Sequence, residues 1–589
     1  MKRFDVLAKS ATACAALMVI AACGGGGSDG SNAGAPSGAT KNEPSLQLSG
    51  TAATGAALAN AHVSVKCANG NGTATTSSNG AYTLTMTGGA LPCIINVKGT
   101  QDGVEVSLHS VAEAGSTDSA SNTTSAAANV TPLTEMIVAK LSAGLPSDLF
   151  AAFSSANSGQ VTTAQLSAAT NAVLTAIKAA VGVDLGTIDP FKAPLVAATS
   201  TNPNAGNGYD KLLDELGTKI SVESLPQVVN QIADSAANGG TIATVIADAG
   251  KGPLAGCAVA LSGKYRTVDF FGRTTVRDID FKAMTYKSGD GTVNLTVTAD
   301  ATKPCTFAAE GLQGADQVRY EFAVGASGLG GYQIFNSTTQ RSSVGYLIPV
   351  QTHAKASLAG SWDMLQSGYV PDDGFVHWPG KLTIAANDKV DVCDINLRNS
   401  PQTCTPDAEA NLTVADRTDG GMDLLEAGGG GVAQMYGYRA PSGGMVVFGT
   451  ANPTGANTPQ TEQSHFLLTR LQPIVAGAVG SKSSYYDIQF NRVGQDNVTQ
   501  PPALGTTTLT AVDGSNLTRT RDDGRVDHTQ INAPLPGYRH RDAGLMPDGV
   551  TPFAELYQFL VPGTGLTVSI NAEPTSPTRS HIYVMSFNR

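Results

Sequence analysis

The chain has 589 residues, of which 41% are hydrophobic and 14% are charged, and its formal net charge is −11. A chain of this length is expected to divide into several globular domains, and its acidic balance disfavours nucleic acid as a partner because phosphate binding needs clustered Lys and Arg. Beyond the N-terminal signal, no apolar run reaches the roughly 20 residues of a membrane span.

The first 22 residues have the features of a bacterial export signal. A basic start precedes an apolar run over residues 11–22, which is too short to span a bilayer. The stretch Ile20–Cys23 resembles the lipobox of bacterial lipoproteins, which implies that Cys23 becomes the lipidated N-terminus. Gly24 after the cysteine favours the outer membrane, on either its periplasmic or its surface face. The alternative is an ordinary signal peptide that leaves Cys23 for a disulfide.

Residues 23–45 combine this cysteine with a Gly/Ser-rich tether. Of the eight cysteines, Cys14 lies in the signal and Cys23 takes the lipid, which leaves six. An even number in an oxidising compartment favours three disulfides. We prefer sequential pairing, since it joins neighbours inside one module: Cys67 with Cys93, Cys257 with Cys305, and Cys393 with Cys404. A zinc site is disfavoured because no Cys-x-x-Cys pair is present.

Residues 46–115 alternate between apolar and polar positions, as in Ala61–Val65 and Tyr82–Met86, with Asn79-Gly80 as a tight turn. This pattern predicts a small antiparallel β-sandwich. Its turn glycines and core positions resemble those of the carboxypeptidase regulatory-like, prealbumin-type sandwich: Gly50, Gly55, Leu58, Ala61, Val63 and the stretch 75–83. The resemblance covers about 50 residues and implies a spacer or stabiliser without catalytic residues.

Residues 126–250 change to helical periodicity and are rich in alanine. Thr131 and Pro132 are typical of a helix start, and a buried face follows from residue 163 to residue 181. Two further helical stretches are predicted over 209–220 and 225–236. We interpret this region as a structural helical domain.

From residue 255 onward, short alternating strands and turn dipeptides predict antiparallel barrels or sandwiches. We divide the region into modules over 255–352 and 353–477, and residues 478–589 either form a third module or complete the second. The first two modules share Leu-x-Gly-x-aromatic, at Leu261–Tyr265 and Leu358–Trp362. The second motif resembles the Gly-x-Trp opening of lipocalin-like barrels, which implies a small-ligand cavity closed at one end by Trp362. Alternatively, Trp362 is a plain core aromatic.

Basic residues cluster near the C-terminus. Arg519, Arg521, Arg539 and Arg541 would form a patch of fork-shaped donors for a carboxylate, phosphate or sulfate if their strands are neighbours. The alternative, which we favour at this point, is that they pair with nearby aspartates on a solvated sheet face. Those aspartates are Asp522, Asp523, Asp527 and Asp542.

Catalytic motifs are scarce. There is no Gly-x-Ser-x-Gly elbow, phosphate loop or zinc-protease motif, and the aspartates at 388–394 and 416–423 lack EF-hand spacing, so we expect no cofactor and no metal. The sequence favours a non-enzymatic lipoprotein with a binding or structural role and a small-molecule, glycan or protein partner. The alternative is an envelope hydrolase acting on a polysaccharide or ester, for which Asp372-Asp373 and His377-Trp378 are the closest grouping of suitable side chains. A His–carboxylate pair in an open cleft would favour the hydrolase, and an enclosed apolar barrel cavity would favour binding.

Overall fold

A computed structural model of the chain describes residues 43–101, 104–222, 224–237, 241–250, 254, 256–353, 355–370, 374–395, 397, 411–426, 429–440, 444–451, 463–493, 496–571 and 581–589. Within these residues the fold is mainly β with a smaller helical part, which confirms the predicted fold class. Cys23, Cys404 and the pair Asp372-Asp373 lie outside the described residues.

The first region is a pair of four-stranded sheets. Its strands are β1 (Ser45–Thr51), β2 (His62–Asn69), β3 (Asn71–Thr75), β4 (Ala81–Thr87), β5 (Ala90–Gln101), β6 (Val104–Ala112), β7 (Ser116–Asp118) and β8 (Thr123–Ala127). The sheet orders are β4-β1-β8-β7 and β3-β2-β5-β6. The pairing of β1 with β8 is parallel, which departs from the antiparallel prediction, and the strands run past residue 115. The small side chains of β8 hide any apolar alternation, so the sequence pattern missed this strand.

The helices follow directly. They are α1 (Pro132–Ser142), α2 (Pro146–Ala152), α3 (Thr163–Val181), α4 (Gly208–Lys219), α5 (Leu225–Ala237) and α6 (Ile242–Ala249). At the start of α1, Thr131 Oγ1 accepts from the N–H of Thr134 at 3.2 Å, and Thr134 Oγ1 accepts from the N–H of Thr131 at 2.9 Å. This reciprocal cap satisfies two of the backbone donors that a helix start leaves unpaired.

The sandwich and the helices share one hydrophobic core. Leu48 of β1, Ile95 of β5, Met136 of α1 and Val173 of α3 all belong to it and are fully buried. The two regions predicted as separate domains are therefore packed against each other as one hydrophobic unit. None of the helices within the described residues is both long and apolar enough to cross a bilayer.

Most of the remaining strands form three closed antiparallel barrels of eight strands each in the described residues. Barrel 1 comprises β9 (Gly263–Asp269), β10 (Thr274–Asp280), β11 (Thr285–Ser288), β12 (Asn294–Ala299), β13 (Thr306–Gln313), β14 (Asp316–Val324), β15 (Gly330–Asn336) and β16 (Arg341–Pro349). Barrel 2 comprises β17 (Gly360–Val370), β18 (Gly374–Ile384), β19 (Lys389–Asp394), β20 (Leu412–Asp416), β21 (Met422–Leu425), β22 (Gly431–Arg439), β23 (Met445–Thr450) and β24 (Gln463–Thr469).

Barrel 3 stands alone as a third barrel and does not complete barrel 2. It comprises β25 (Lys482–Val493), β26 (Asp496–Asp513), β27 (Asn516–Arg521), β28 (Val526–Ile531), β29 (Tyr538–Arg541), β32 (Leu556–Leu560), β33 (Leu566–Ile570) and β34 (His581–Asn588), in that order around the barrel. The short strands β30 (Gly544–Leu545) and β31 (Pro552–Phe553) pair with each other between β29 and β32.

Barrels 1 and 2 are filled with apolar side chains, and the shared sequence motif has the same structural role in both. The hydroxyl of Tyr265 donates to the carbonyl of Leu261 at 2.8 Å, and the indole N–H of Trp362 donates to the carbonyl of Leu358 at 2.7 Å. Each aromatic ring is buried at the start of the first strand of its barrel. The repeat therefore reflects two equivalent barrel openings, and barrel 3 lacks this motif.

The three barrels meet at a common hydrophobic core between them. Phe270 of barrel 1, Phe448 of barrel 2 and Phe490 of barrel 3 all belong to it, and the rings of Phe270 and Phe490 stack with their centroids 4.2 Å apart. In barrel 3 this core takes the outward-facing side chains of several strands. The apolar residues of these strands therefore face outward, and their alternate residues face the barrel interior.

Two of the predicted disulfides join cysteines that both lie within the described residues. Cys67 and Cys93 lie directly opposite each other on β2 and β5, and Cys257 is bonded to Cys305. Cys393 is also disulfide-bonded.

Candidate functional site

The interior of barrel 3 is polar. Along β33, Val568 and Ile570 point outward into the core between the barrels, whereas Thr567 and Ser569 line the inside, as the alternation of side chains along a strand requires. Because the outer face is buried against barrels 1 and 2, the apolar residues lie outside and polar residues are left within. They enclose a cavity of about 480 Å³.

Five arginines line this cavity from one side of the barrel. Arg519 and Arg521 lie two residues apart on β27, and Arg539 and Arg541 lie two residues apart on β29, so that each pair shares a face. Strand β28 runs between β27 and β29, and Arg525 comes from the turn before it. All four predicted arginines are thus brought together. They lie inside a barrel and not on the solvated sheet face that we favoured from the sequence.

Two aspartates share the cavity with the arginines. Asp527 Oδ1 lies 3.1 Å from Arg525 Nε and 3.8 Å from Arg541 Nη1. Asp527 Oδ2 lies 3.9 Å from Arg521 Nη1, and Asp487 Oδ2 lies 3.2 Å from Arg521 Nη2. Five guanidinium groups therefore face two carboxylates.

The other three aspartates named as alternative partners are exposed. Asp522 accepts a hydrogen bond from a backbone N–H of β26, and Asp523 accepts one from the N–H of Arg525 within its own turn. Asp542 lies 3.6 Å from His540 on the outer face. Of the four aspartates proposed as partners, Asp527 is the one that contacts the arginine cluster.

Arg519 and Arg539 have no carboxylate within ion-pair distance among the described residues. Arg539 donates from Nε to Gln558 Oε1, and Arg519 Nε is buried without a hydrogen-bond partner. Burial, reinforced by the positive charge of Arg519, lowers the pKa of Arg539 to about 9. Burial also lowers the pKa of Arg519 and lowers that of Arg541 to about 10. These low pKa values arise because desolvation penalises the charged form more than the nearby charge of Asp527 stabilises it.

The wall across the barrel is neutral and rich in hydrogen-bonding groups. In the strand order, β33, β34 and β25 lie diametrically opposite β27, β28 and β29. Six of their inward residues carry aliphatic hydroxyl or amide groups, Ser483, Gln489, Thr567, Ser569, Ser586 and Asn588, and the lining from these strands also includes Tyr485, Asp487, Ile582 and Val584. The cavity is therefore cationic on one side and neutral on the other, apart from Asp487.

The two ends of the cavity differ. One end is filled by Leu509, Leu517 and Ile531, against which the segment before β25 packs through Ile474. At the other end, the mouth segment (residues 542–555, including β30 and β31) places Phe553 with its ring centroid 5.0 Å from the guanidinium carbons of both Arg525 and Arg541.

The predicted barrel residue Trp362 lies elsewhere. It is 1% exposed within the apolar filling of barrel 2, and the guanidinium of Arg470 lies 4.3 Å from its ring centroid. Because that barrel is filled with apolar side chains, Trp362 is a core aromatic there.

Of the side chains proposed for a hydrolase, the pair Asp372-Asp373 lies outside the described residues, and His377 and Trp378 belong to β18. His377 is buried, its Nδ1 lies 3.0 Å from Ser367 Oγ, and burial lowers its pKa to about 3. The pair His109–Glu135, with Nδ1 and Oε2 2.9 Å apart, lines a cavity of only about 70 Å³. Within the described part of the chain, no three His, Cys, Asp or Glu side chains are grouped so as to hold a metal ion.

The sequence showed Arg525 within the same basic cluster, but it did not indicate Asp487 or the neutral wall. The two arginine pairs were visible because residues two apart share a face of a strand. Which face lies inside was not visible, because the packing of three barrels against one another reverses the usual apolar interior in barrel 3.

Comparison with known proteins gives distant likenesses in structure only. No family model matches the chain, and no curated protein does. The chain is similar to the vaccine antigen transferrin binding protein B of Haemophilus parasuis Hp5, solved as a Trp-to-Ala mutant, with a TM-score of 0.18 and 8% identity over 55% of this chain and 75% of that chain. A double mutant of the same antigen gives a TM-score of 0.18 and 8% identity over 56% and 75%. Intact Ap-TbpB, with its N and C lobes, gives a TM-score of 0.18 and 10% identity over 54% and 68%.

Proposed function

We propose that this protein is a lipid-anchored envelope protein that binds a small anion in the cavity of barrel 3 and performs no catalysis there. The observation that carries the proposal is the excess of positive charge, since five arginines share the barrel 3 cavity with two aspartates. Arg519 and Arg539 have no carboxylate partner among the described residues.

Such an arrangement is costly for the protein alone. Removing a guanidinium group from water without fully compensating its charge is destabilising, and the pKa values of Arg519, Arg539 and Arg541, which desolvation lowers, reflect this cost. An anion seated between the strands would offset this cost and would accept paired N–H donors from the planar guanidinium groups. Relief of this unfavourable free energy on binding would contribute to the affinity for an anion.

The chemistry of the lining supports binding over catalysis. Guanidinium groups donate hydrogen bonds but do not exchange protons readily near neutral pH. The two carboxylates of the cavity already contact arginines, Asp487 through Arg521 and Asp527 through Arg525. The lining therefore suits the recognition of a charged group.

The anchor is proposed from the sequence. The lipobox-like stretch Ile20–Cys23 supports lipidation of Cys23 and attachment to the outer membrane, with the sandwich as a spacer of the carboxypeptidase regulatory-like kind. Cys23→Ala should move the protein to the soluble periplasmic fraction and abolish labelling by a palmitate analogue. A Cys23→Ala protein that stays membrane-bound and labelled would contradict the anchor.

The binding proposal is tested by calorimetric titration of the full mature chain with phosphate, sulfate and citrate, and with glycerol as a neutral control. We expect saturable binding of at least one anion, weakened at least tenfold by Arg519→Gln and by Arg539→Gln. Arg319→Gln is the matched control, because Arg319 is an exposed arginine on barrel 1 that pairs with Glu310 and Glu321. Equal affinities in all variants, or no heat with any anion, would reject the proposal.

A further inference from the structure

The cavity of barrel 3 presents two chemically different walls to a single ligand. Arg519, Arg521, Arg539 and Arg541 stand on β27 and β29, and β33, β34 and β25 face them across the barrel. A simple inorganic anion would need only the arginine side. A larger ligand with a second polar part would contact both walls.

The neutral wall both donates and accepts hydrogen bonds. Ser569 Oγ accepts from Gln558 Nε2 at 3.0 Å, so its own O–H proton remains available to a ligand. The hydroxyl of Thr567, two residues earlier on β33, makes no hydrogen bond to another described residue. Hydroxyl groups act as donor and acceptor at once, and the groups that complement them best are hydroxyls of the ligand.

The size of the cavity limits the ligand. A volume of about 480 Å³ lies within the range of roughly 300–1,000 Å³ typical of small-molecule sites. Apolar side chains of β32 and β34, among them Leu556, Ile582 and Val584, also contribute to the lining. They offer contact surface to the C–H groups of a ring that carries its hydroxyls at its edges.

We infer that the ligand is a polyhydroxylated anion about the size of one or two sugar rings, with its acid group on the arginine wall and its hydroxyls on the β33–β34–β25 wall. This inference rests on the proposed binding of an anion in barrel 3 and specifies the class of ligand. The acid group is a carboxylate, phosphate or sulfate, which share the recognition by guanidinium forks.

The test compares ligands of equal charge that differ in their hydroxyls. The full mature chain is titrated with D-glucuronate against cyclohexanecarboxylate, and with glucose 6-phosphate against cyclohexyl phosphate. We expect the hydroxylated member of at least one pair to bind at least tenfold more tightly. The pair that shows the preference identifies the acid group.

Variants separate the two walls. Thr567→Val combined with Ser569→Ala should remove the preference for the hydroxylated ligand while leaving the affinity for its hydroxyl-free counterpart within about twofold. Arg539→Gln should weaken both. Thr298→Val, on the exposed face of barrel 1, is the control and should change neither.

The outcomes distinguish the inference from the function on which it rests. If no anion binds, anion binding in barrel 3 is wrong. If anions bind but the hydroxyl-free members bind equally well or better, anion binding stands and the polyhydroxylated class is wrong. A hydroxyl preference that persists in the Thr567→Val, Ser569→Ala variant would overturn the assignment of the neutral wall.

Discussion

Replacing Arg539 by glutamine should stabilise barrel 3 while weakening anion binding. The pKa of Arg539 is lowered from 12.5 to about 9, and each tenfold change in an acid constant corresponds to about 1.36 kcal/mol. The charged form is therefore disfavoured by up to about 5 kcal/mol at neutral pH. Loss of the hydrogen bond to Gln558 and of the arginine stem offsets part of this gain, each by about 1–2 kcal/mol. The net expectation is a gain of about 1–3 kcal/mol.

Hydrogen exchange of peptides covering β27 to β29 reports the stability of barrel 3 separately from that of the other barrels. A gain of 1.4 kcal/mol slows exchange about tenfold when it follows opening of the barrel. Arg319→Gln, on the exposed face of barrel 1, should leave exchange in these peptides unchanged. Faster exchange in the Arg539→Gln protein, together with undiminished anion affinity, would refute the hypothesis that Arg539 lowers the stability of barrel 3 and contributes to anion binding.

Burial lowers the pKa of His377 to about 3 and that of His465 to about 4. Because the unfolded state then takes up protons at a higher pH than the folded state, the free energy of unfolding of barrel 2 should fall as pH drops below about 6.5. In urea unfolding followed by tryptophan fluorescence, the free energy of unfolding of His465→Gln should fall by about 2 kcal/mol less than that of the wild type between pH 7 and pH 5. Trp362→Ala should cost about 3–5 kcal/mol in the same assay without changing anion affinity, and a loss of affinity would place the ligand in barrel 2 instead. Calorimetric affinity for an anion should decline above about pH 9 as Arg539 and then Arg541 lose their protons, and a constant affinity up to pH 11 would show that these two residues do not bind it.

The sequence predicted the parts of this fold that depend on local patterns. The start of α1 at Pro132 followed from Thr131 as its cap, and the common role of Tyr265 and Trp362 followed from one repeated motif. Strand β8 was missed because its small residues carry no apolar alternation. Its parallel pairing with β1 depends on the rest of the sandwich.

The sequence predicted only part of the candidate site, for a different reason. The spacing of Arg519 and Arg521, and of Arg539 and Arg541, placed each pair on one face of a strand. Whether that face pointed into a barrel depended on contacts with two other barrels through residues such as Phe490 and Val568. The acidic composition and the neighbouring aspartates favoured a solvated patch in the sequence. The packing of barrel 3 against the other two barrels instead places these arginines inside it.

Binding of a small anion between Arg519 and Arg539 is tested most directly by diffraction from crystals of the mature chain soaked with selenate, a tetrahedral dianion whose selenium gives an anomalous signal. The account predicts an anomalous peak inside barrel 3 within hydrogen-bond distance of the guanidinium groups of both residues, and its loss in Arg539→Gln crystals. Peaks confined to the outer surface, or an interior peak that persists in the Arg539→Gln crystals, would contradict it.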